Sequence, residues 1–578
     1  MKVKLARTAG FCMGVRRAME LVLTAANQKD DRPLYTYGPL IHNTQVLDLL
    51  KTKSVTVLKD LGGLSGGRIV IRAHGIPPAE RAKLKETGME ILDATCPKVA
   101  RVQSLIRLHT RKGHECIIVG DSDHAEVIGL MGYSVTPPWV IQEASQVAEL
   151  PDLQKPFVVA QTTQNDAVFG DVVDALKAKF PNLLVFDTIC NATHLRQKEV
   201  RSFKDQVDAM VVVGGYHSGN TQRLAEVARE SGLKTFHVET EKDLDLKALE
   251  PMSCIGVTAG ASTPNWMIQN VVRTIERVRG QGESSLLNGC RKVFESLVLA
   301  SGLVAGGAFC FAYAAGFLAG PPLEIVFPFI AMLYLYAVHG LNRIVDKGAG
   351  VYNDPEGAEF LTTHRGVLLG GGIAAAAAAL LLALTRGLPT FLALAAFIVV
   401  GLIYSLPIFP DRLRSRRTYF RIKDIPGSRS LADAFARVAV INVLPLFSTD
   451  PGPYSAVAVS MVFVLLLSYG RSGLFDLLHL QGDLIVGKET LPLTIGQKQA
   501  TLLLRVDLGF LGVFLVVSGF AGWAGPFAFW MLIPVGGMIL CLAAFEKRWI
   551  RSALIMEALV ESNFFLAGII AFCAYLFR

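Results

Sequence analysis

The chain has 578 residues, 51% of them hydrophobic and only 18% charged, with a formal net charge of +8. About 25% charged is ordinary for a soluble protein, and the deficit lies in one half: 67 of the first 290 residues are charged against 39 of the last 288. This split excludes a single soluble enzyme and a disordered or fibrous chain, and the modest, dispersed positive charge argues against a nucleic-acid partner.

The opening MKVKLARTAGFCMGV has a short apolar stretch interrupted by Lys and Arg, so it does not read as a signal peptide. The first half is therefore expected in the reducing cytosol, with its thiols free. Nine cysteines stand at 12, 96, 116, 190, 254, 290, 310, 541 and 573, with no C-x-x-C pair and hence no zinc-ribbon spacing.

Internal repetition is the informative feature of residues 1–282. Asp93-Ala-Thr-Cys96 and Asp187-Thr-Ile-Cys190 each carry Asp three before the Cys and Gln seven after it, at Gln103 and Gln197. An apolar run follows each, ending in a polar loop: Asp123-His124-Ala-Glu126, and His217-Ser218-Gly219-Asn220. Cys96 to His124 and Cys190 to Ser218 are both 28 residues, and Cys12 to His42 is 30. Other short apolar runs end at His74, at Gln161-Thr162-Thr163 and at Ser262. Short apolar runs alternating with helical segments predict an α/β fold with parallel sheets, whose carboxyl ends carry the ligand. Three units imply a pseudo-threefold arrangement, with Cys12, Cys96 and Cys190 facing one centre.

A lone Cys is usually a small buried hydrophobe, which suits Cys116, Cys254 and Cys290. Three repeated thiolates select zinc, copper or iron–sulfur. Zinc would take a loop histidine as its fourth ligand. A [4Fe–4S] cluster normally takes four cysteines, so three would leave one iron open to substrate. His42, His74, His124, Ser218, Asn220 and Ser262 describe a cation-capable pocket whose one carboxylate is Glu126, and that suits a small diphosphate.

These residues closely resemble the IspH/LytB family of 4-hydroxy-3-methylbut-2-enyl diphosphate (HMBPP) reductases, over about residues 3–280. The matching motifs run in one order: Gly10-Phe11-Cys12-x-Gly14-Val15, Gly38-Pro39-Leu40-Ile41-His42-Asn43, Ala73-His74-Gly75, Asp93-Ala-Thr-Cys96-Pro97, His124-Ala-Glu126, Gln161-Thr162-Thr163, Asp187-Thr-Ile-Cys190, Ser218-Gly219-Asn220 and Thr258-Ala-Gly260-Ala-Ser262. Gly219 departs from a second hydroxyl residue often found there, and Tyr216-His217 replaces a pair such as Lys-Asn. The resemblance implies a [4Fe–4S] cluster on Cys12, Cys96 and Cys190. It implies Glu126 as the proton source with Thr162 positioning the substrate hydroxyl. It implies a diphosphate held by His42, His74, His124, Thr162, Thr163, Ser218, Gly219, Asn220 and Ser262. A ferredoxin- or flavodoxin-type donor would supply the electrons, since the half has no nucleotide-binding Gly motif. A diverged reductase of another allylic diphosphate is the alternative reading.

A linker is expected over 283–293 and a membrane domain over 294–578. Residues 296–323, 325–341, 366–385, 387–410, 451–470 and 508–545 contain no Asp, Glu, Lys or Arg. With 508–545 broken at Ala524-Gly525-Pro526, and with 438–448 and 553–577 added, they predict about nine transmembrane helices in an all-α polytopic bundle embedded in the lipid bilayer. The loop 411–430 carries seven Lys and Arg, and basic and non-basic loops alternate along the chain. The basic loops, and with them the first half, are expected in the cytoplasm.

Acidic groups near such spans need a reason, because charge is costly there. One cluster is Asn342-Arg-Ile-Val-Asp346 followed by Asn353-Asp354; the other is Asp476, His479 and Asp483 followed by Gly487-Lys488-Glu489-Thr490-Leu491-Pro492. Two acidic clusters beside a basic loop suit Mg²⁺ and a diphosphate. With Tyr404-Ser405…Pro407 and Lys423-Asp424-Ile425-Pro426-Gly427, they resemble the UbiA family of intramembrane prenyltransferases. That implies a Mg²⁺–diphosphate site at Asn342, Asp346, Asp476 and Asp483. Gly350 and His479 stand where the family's motifs carry further aspartates, so an inactive prenyl-lipid binder or anchor is the competing reading of this half.

Overall fold

A computed structural model describes the chain except for residues 29, 59, 61–65, 279–284, 321–323, 346–351, 354, 406–424, 426, 451, 488–489, 548, 551–552 and 578. It divides into two compact units, Met1–Glu283 and Ser284–Arg578. Most of the stretch expected as a linker, 283–293, lies in the helix Ser285–Leu299.

Among the described residues the first unit holds twelve strands: β1 (Lys2–Leu5), β2 (Leu34–Tyr37), β3 (Val55–Leu58), β4 (Arg68–Ile71), β5 (Glu90–Asp93), β6 (Glu115–Val119), β7 (Trp139–Ile141), β8 (Pro156–Ala160), β9 (Leu184–Phe186), β10 (Ala209–Val213), β11 (Thr235–Val238) and β12 (Cys254–Ala259). They form three four-stranded sheets, in the orders β3-β2-β4-β5, β7-β6-β8-β9 and β1-β12-β10-β11. Every pairing is parallel. The three orders are one pattern: two central strands, each with its successor in the repeat at its outer edge. In the third sheet that last place is taken by β1, so the first strand of the chain completes the final repeat.

Composition explains the parallel sheets. β8 (PFVVA) and β10 (AMVVV) are buried along their whole length, as strands covered by helices on both faces must be. The helix Pro97–Arg111 turns Val99, Val102 and Ile106 onto Cys116, Ile118, Phe157 and Val159. Fully burying one such side chain contributes about 1.5–3 kcal/mol.

The second unit is helical. Among the described residues seven helices are long and apolar enough to cross a membrane: Gly302–Ala319, Arg365–Leu384, Ser428–Phe447, Tyr454–Leu478, Gln497–Phe520, Phe527–Glu546 and Leu554–Leu576. The remaining two of the nine expected spans fall on Val326–Val345 and on the shorter apolar helix Leu388–Tyr404. Two helices do divide the long charge-free run around Gly525-Pro526: Gln497–Phe520 ends before Gly522, whose φ of +70° is left-handed, and Pro526 caps the start of the next.

Phe311, fully buried, packs edge-on against Phe463 and Phe564, with ring centroids 5.4 and 4.6 Å away, and so ties three of these helices together. One set of charges inside the bundle is paired, which offsets the cost of a poorly solvating interior. Arg471 Nε donates to Glu561 Oε1 at 2.6 Å. Asp433 Oδ2 accepts from Ser472 Oγ at 2.6 Å and from Arg437 Nε at 3.3 Å.

Candidate functional site

In each sheet the chain leaves the last strand of the repeat and enters a helix whose N-cap is a cysteine. Cys12 caps Met13–Asn27, Cys96 caps Pro97–Arg111 and Cys190 caps Asn191–Ser202. Each cysteine amide donates to the loop after the neighbouring central strand: Cys12 to Ala261 O at 3.3 Å, Cys96 to Ala73 O at 2.9 Å and Cys190 to Thr162 O at 2.9 Å. The residue after each of those carbonyls is Ser262, His74 or Thr163. Thiol and polar side chain are thereby fixed side by side, three times over.

The thiols converge. A Cβ placed on Gly14 would lie 2.5 Å from Cys96 Sγ and 3.9 Å from Cys12 Sγ, so only glycine leaves the space between them open. Burial pushes the Cys96 thiol up, and the nearby Cys12 and Cys190 push in the same direction. None of the three is in a disulfide. Cys116 is different: it is a buried member of β6, packed among apolar side chains.

His42, His124 and Ser218 follow the first strand of each repeat, so they are equivalent in the fold although their chemistry differs. The rings of His42, His74 and His124 stand with centroids 5.0–5.7 Å apart. Burial lowers all three imidazoles from their ordinary range, His124 to about 4. His124 Nδ1 accepts from the Glu126 amide at 3.1 Å, which leaves Nε2 to carry any proton outward. His42 Nε2, His74 Nδ1 and Asn220 Nδ2 are buried without a hydrogen-bond partner. Unmatched buried polar atoms converging on one space mark a ligand site.

Glu126 is 2% exposed, and burial pushes its carboxyl up from its ordinary value. Its two oxygens meet Thr162, accepting from the amide at 2.7 Å and from the hydroxyl at 2.9 Å. A carboxyl gripped at both oxygens and raised by burial is suited to giving up a proton.

One cavity is lined by every residue expected to hold the cluster, the substrate or the proton: Cys12, Cys96, Cys190, His42, His74, His124, Glu126, Thr162, Thr163, Ser218, Gly219, Asn220 and Ser262. Lys98, Thr193 and the buried Arg196 line it too. Arg196 donates to Gly10 O, two residues before Cys12, and to Ala192 O at 3.3 Å. Its counterparts six residues after Cys12 and Cys96 are Ala18 and Val102, so no repeat signalled it. The repeated glutamines are braces: Gln197 Nε2 donates to Gln164 O at 3.0 Å, and Gln103 lies against Gly75.

In the helical unit, Asp476 Oδ2 accepts from Ser430 Oγ at 2.5 Å, and Asp483 is 1% exposed with Oδ2 lacking a partner. Gly482 N donates to Asn353 Oδ1 at 2.8 Å, so the chain beyond the first acidic cluster meets the second. Asn342 lies on the helix Val326–Val345, whereas Asp346 and Gly350 fall outside the described residues. The network of Asp433, Arg437, Arg471 and Glu561 was not singled out from the sequence, because scattered single charges carry no motif.

Residues 3–276 match the family model for LytB protein. A 4-hydroxy-3-methylbut-2-enyl diphosphate reductase of Geotalea uraniireducens is 42% identical over 278 residues, which is 48% of this chain and 98% of that protein. The chain belongs to the LytB family. Among solved structures, an E-1-hydroxy-2-methyl-but-2-enyl-4-diphosphate reductase from Plasmodium falciparum matches at 28% identity and a TM-score of 0.46, over 47% of this chain and 87% of that one. A UbiA homolog from Archaeoglobus fulgidus, bound to GPP and Mg²⁺, matches at 15% identity and a TM-score of 0.35, over 48% of this chain and 99% of that one.

The neutral histidines of this LytB site yield a prediction. An anion such as inorganic diphosphate stabilises the imidazolium and raises these lowered pKa values, so binding takes up protons and tightens as pH falls through the imidazole range. Calorimetry in two buffers of different ionisation enthalpy measures the uptake. Proton release, or affinity that weakens as pH falls from 8 to about 6, contradicts it.

Proposed function

We propose that the LytB-family unit carries out the reductive dehydroxylation of HMBPP to isopentenyl and dimethylallyl diphosphate. Two electrons and two protons replace the allylic C–OH bond by C–H and release water. The observation that carries this reading is the meeting, in one cavity, of three convergent thiols, a buried carboxyl and a set of unpartnered anion-binding groups.

The residues fit an iron–sulfur group: three thiols outside any disulfide, with Gly14 keeping the space between two of them clear. A [4Fe–4S] cluster on Cys12, Cys96 and Cys190 would supply single electrons and, with one cysteine fewer than usual, an iron open to the substrate hydroxyl. The protein does the rest. His42, His74 and His124 with Ser218, Asn220 and Ser262 hold the diphosphate, and Thr163 and the backbone at Gly219 complete the grip. Burial raises the Glu126 carboxyl and so favours its protonated form, and Thr162, touching both its oxygens, hands protons toward the hydroxyl. The electrons come from a ferredoxin- or flavodoxin-type protein on the cytoplasmic side.

For the helical unit we propose a UbiA-type role in the bilayer, binding a Mg²⁺–prenyl diphosphate through Asp476, Asp483, Asn342 and Asp346. The buried, unpartnered Oδ2 of Asp483 supports it, and so does the contact between Gly482 and Asn353.

Two measurements test these readings. Glu126→Gln should still bind HMBPP while turnover falls by about 10²–10⁴-fold, the usual contribution of general acid–base catalysis; turnover at the wild-type rate would remove Glu126 from its role. In the helical unit, Asp483→Ala should lose Mg²⁺-dependent binding of geranyl diphosphate in detergent. Binding that is equal with and without Mg²⁺, or untouched by the substitution, would refute the site.

A further inference from the structure

Arg223 takes no part in the chemistry above, yet its side chain is almost wholly enclosed beside the cavity, with the residue 9% exposed. It lies on the helix Gly219–Glu230, whose N-terminus presents Ser218, Gly219 and Asn220 to the pocket. Its two arms reach into the neighbouring repeat. Nη2 donates to Asp121 Oδ1 and Oδ2 at 2.8 and 2.7 Å, while Nη1 donates to Thr163 O and Oγ1 at 3.1 and 3.2 Å.

These contacts belong to a closed ring. The Asp121 amide donates to Gln161 Oε1 at 3.0 Å, and Gln161 Nε2 donates to Thr163 Oγ1 at 3.1 Å. Asp121 O in turn accepts from the amide of His124 at 3.1 Å. One guanidinium thus ties the anion-binding end of a third-repeat helix to the second-repeat loops that carry His124 and Thr163. The two elements touch at Gly219, where an added Cβ would lie 3.6 and 3.8 Å from His124 Cδ2 and Nε2.

The ring also sets the polarity of one hydroxyl. A threonine oxygen has two lone pairs and one proton. Thr163 Oγ1 accepts from both Arg223 and Gln161, so its own proton is left for a third partner, and Thr163 lines the cavity. Asp121 balances the charge of Arg223, which therefore acts through its neighbours rather than on the anion. The equivalent positions in the other repeats, five residues after His42 and His124, are Leu47 and Gly129. The device belongs to the third repeat alone, where Ser218 replaces a histidine.

We propose that Arg223 is a positioning residue for diphosphate: it locks the Ser218–Asn220 helix end against the His124 loop and makes the Thr163 hydroxyl an obligate donor to the bound anion. This rests on the reading of the cavity as a diphosphate site.

Calorimetry of inorganic diphosphate binding to the anaerobic full-length chain tests it. Arg223→Gln and Thr163→Val should each weaken binding by about 10- to 100-fold, the effect of losing a hydrogen bond to a charged group. The double variant should be weakened by much less than the product of the two, because both changes remove the same donor. Arg223→Lys keeps the charge but has one nitrogen for two partners, and should also bind weakly. Wild-type affinity in Arg223→Gln, or losses that multiply in the double variant, would overturn the proposal. If Arg223→Gln does not fold, Asp121→Asn loosens the same arm and should weaken binding likewise; unchanged affinity there would overturn it as well. A wild-type chain that binds diphosphate but does not turn over HMBPP would refute the proposed reaction while leaving this test intact. A wild-type chain that binds no diphosphate would overturn both.

Discussion

The amide of each cysteine, 12, 96 and 190, donates to a carbonyl at the end of the neighbouring strand, and the rest of the site depends on that bond. Beyond β5 and β9 it keeps the register of the β5–β4 and β9–β8 ladders, setting Cys96 opposite His74 and Cys190 opposite Thr163, whereas between β1 and Cys12 the chain is two residues longer than the segment it faces. In those two sheets the register therefore decides which polar residue stands beside which thiol. In those two sheets only two or three residues separate the strand from its cysteine, whereas a six-residue turn, 6–11, leads from β1 to Cys12. The helices that follow start at the thiols, which directs backbone N–H groups at the same centre.

Burial then sets the protonation of the cavity. Burial lowers the histidines and raises the Glu126 carboxyl, so one cause favours the uncharged form of each. An incoming anion supplies the charge that turns imidazoles into strong donors. The Glu126 carboxyl is held at both oxygens by Thr162. Arg223, with its charge balanced by Asp121, holds these parts in place without adding charge to the pocket.

Much of this was legible in the chain. The 28-residue spacing of Cys96–His124 and Cys190–Ser218 is the distance from one strand end to the next in a βα repeat, and so it marked equivalent residues before any coordinates. The apolar runs at 116–119 and 210–213 became β6 and β10 because a strand covered on both faces has no reason to alternate. Arg196 and Arg223 were not legible, since each occurs in one repeat only and sits on a helix face that any surface arginine could occupy. The paired charges at Arg471 and Glu561 escaped for a related reason: 90 residues separate them, and only the packing of two helices brings them to 2.6 Å. Of the two expected spans outside the seven, Val326–Val345 carries the polar Asn342 and Arg343 near its end, and Leu388–Tyr404 is the described apolar helix of the run 387–410.

The central claim, that three repeat-related thiols hold one redox group, is tested most directly by iron analysis and electron paramagnetic resonance of the full-length chain purified without oxygen. The account predicts about four irons per chain and a signal on reduction, as a [4Fe–4S] cluster requires. Both should be lost in Cys12→Ser, Cys96→Ser or Cys190→Ser and kept in Cys116→Ser and Cys254→Ser. Stoichiometric zinc in place of iron, or a cluster that survives loss of Cys12, Cys96 or Cys190, would contradict it.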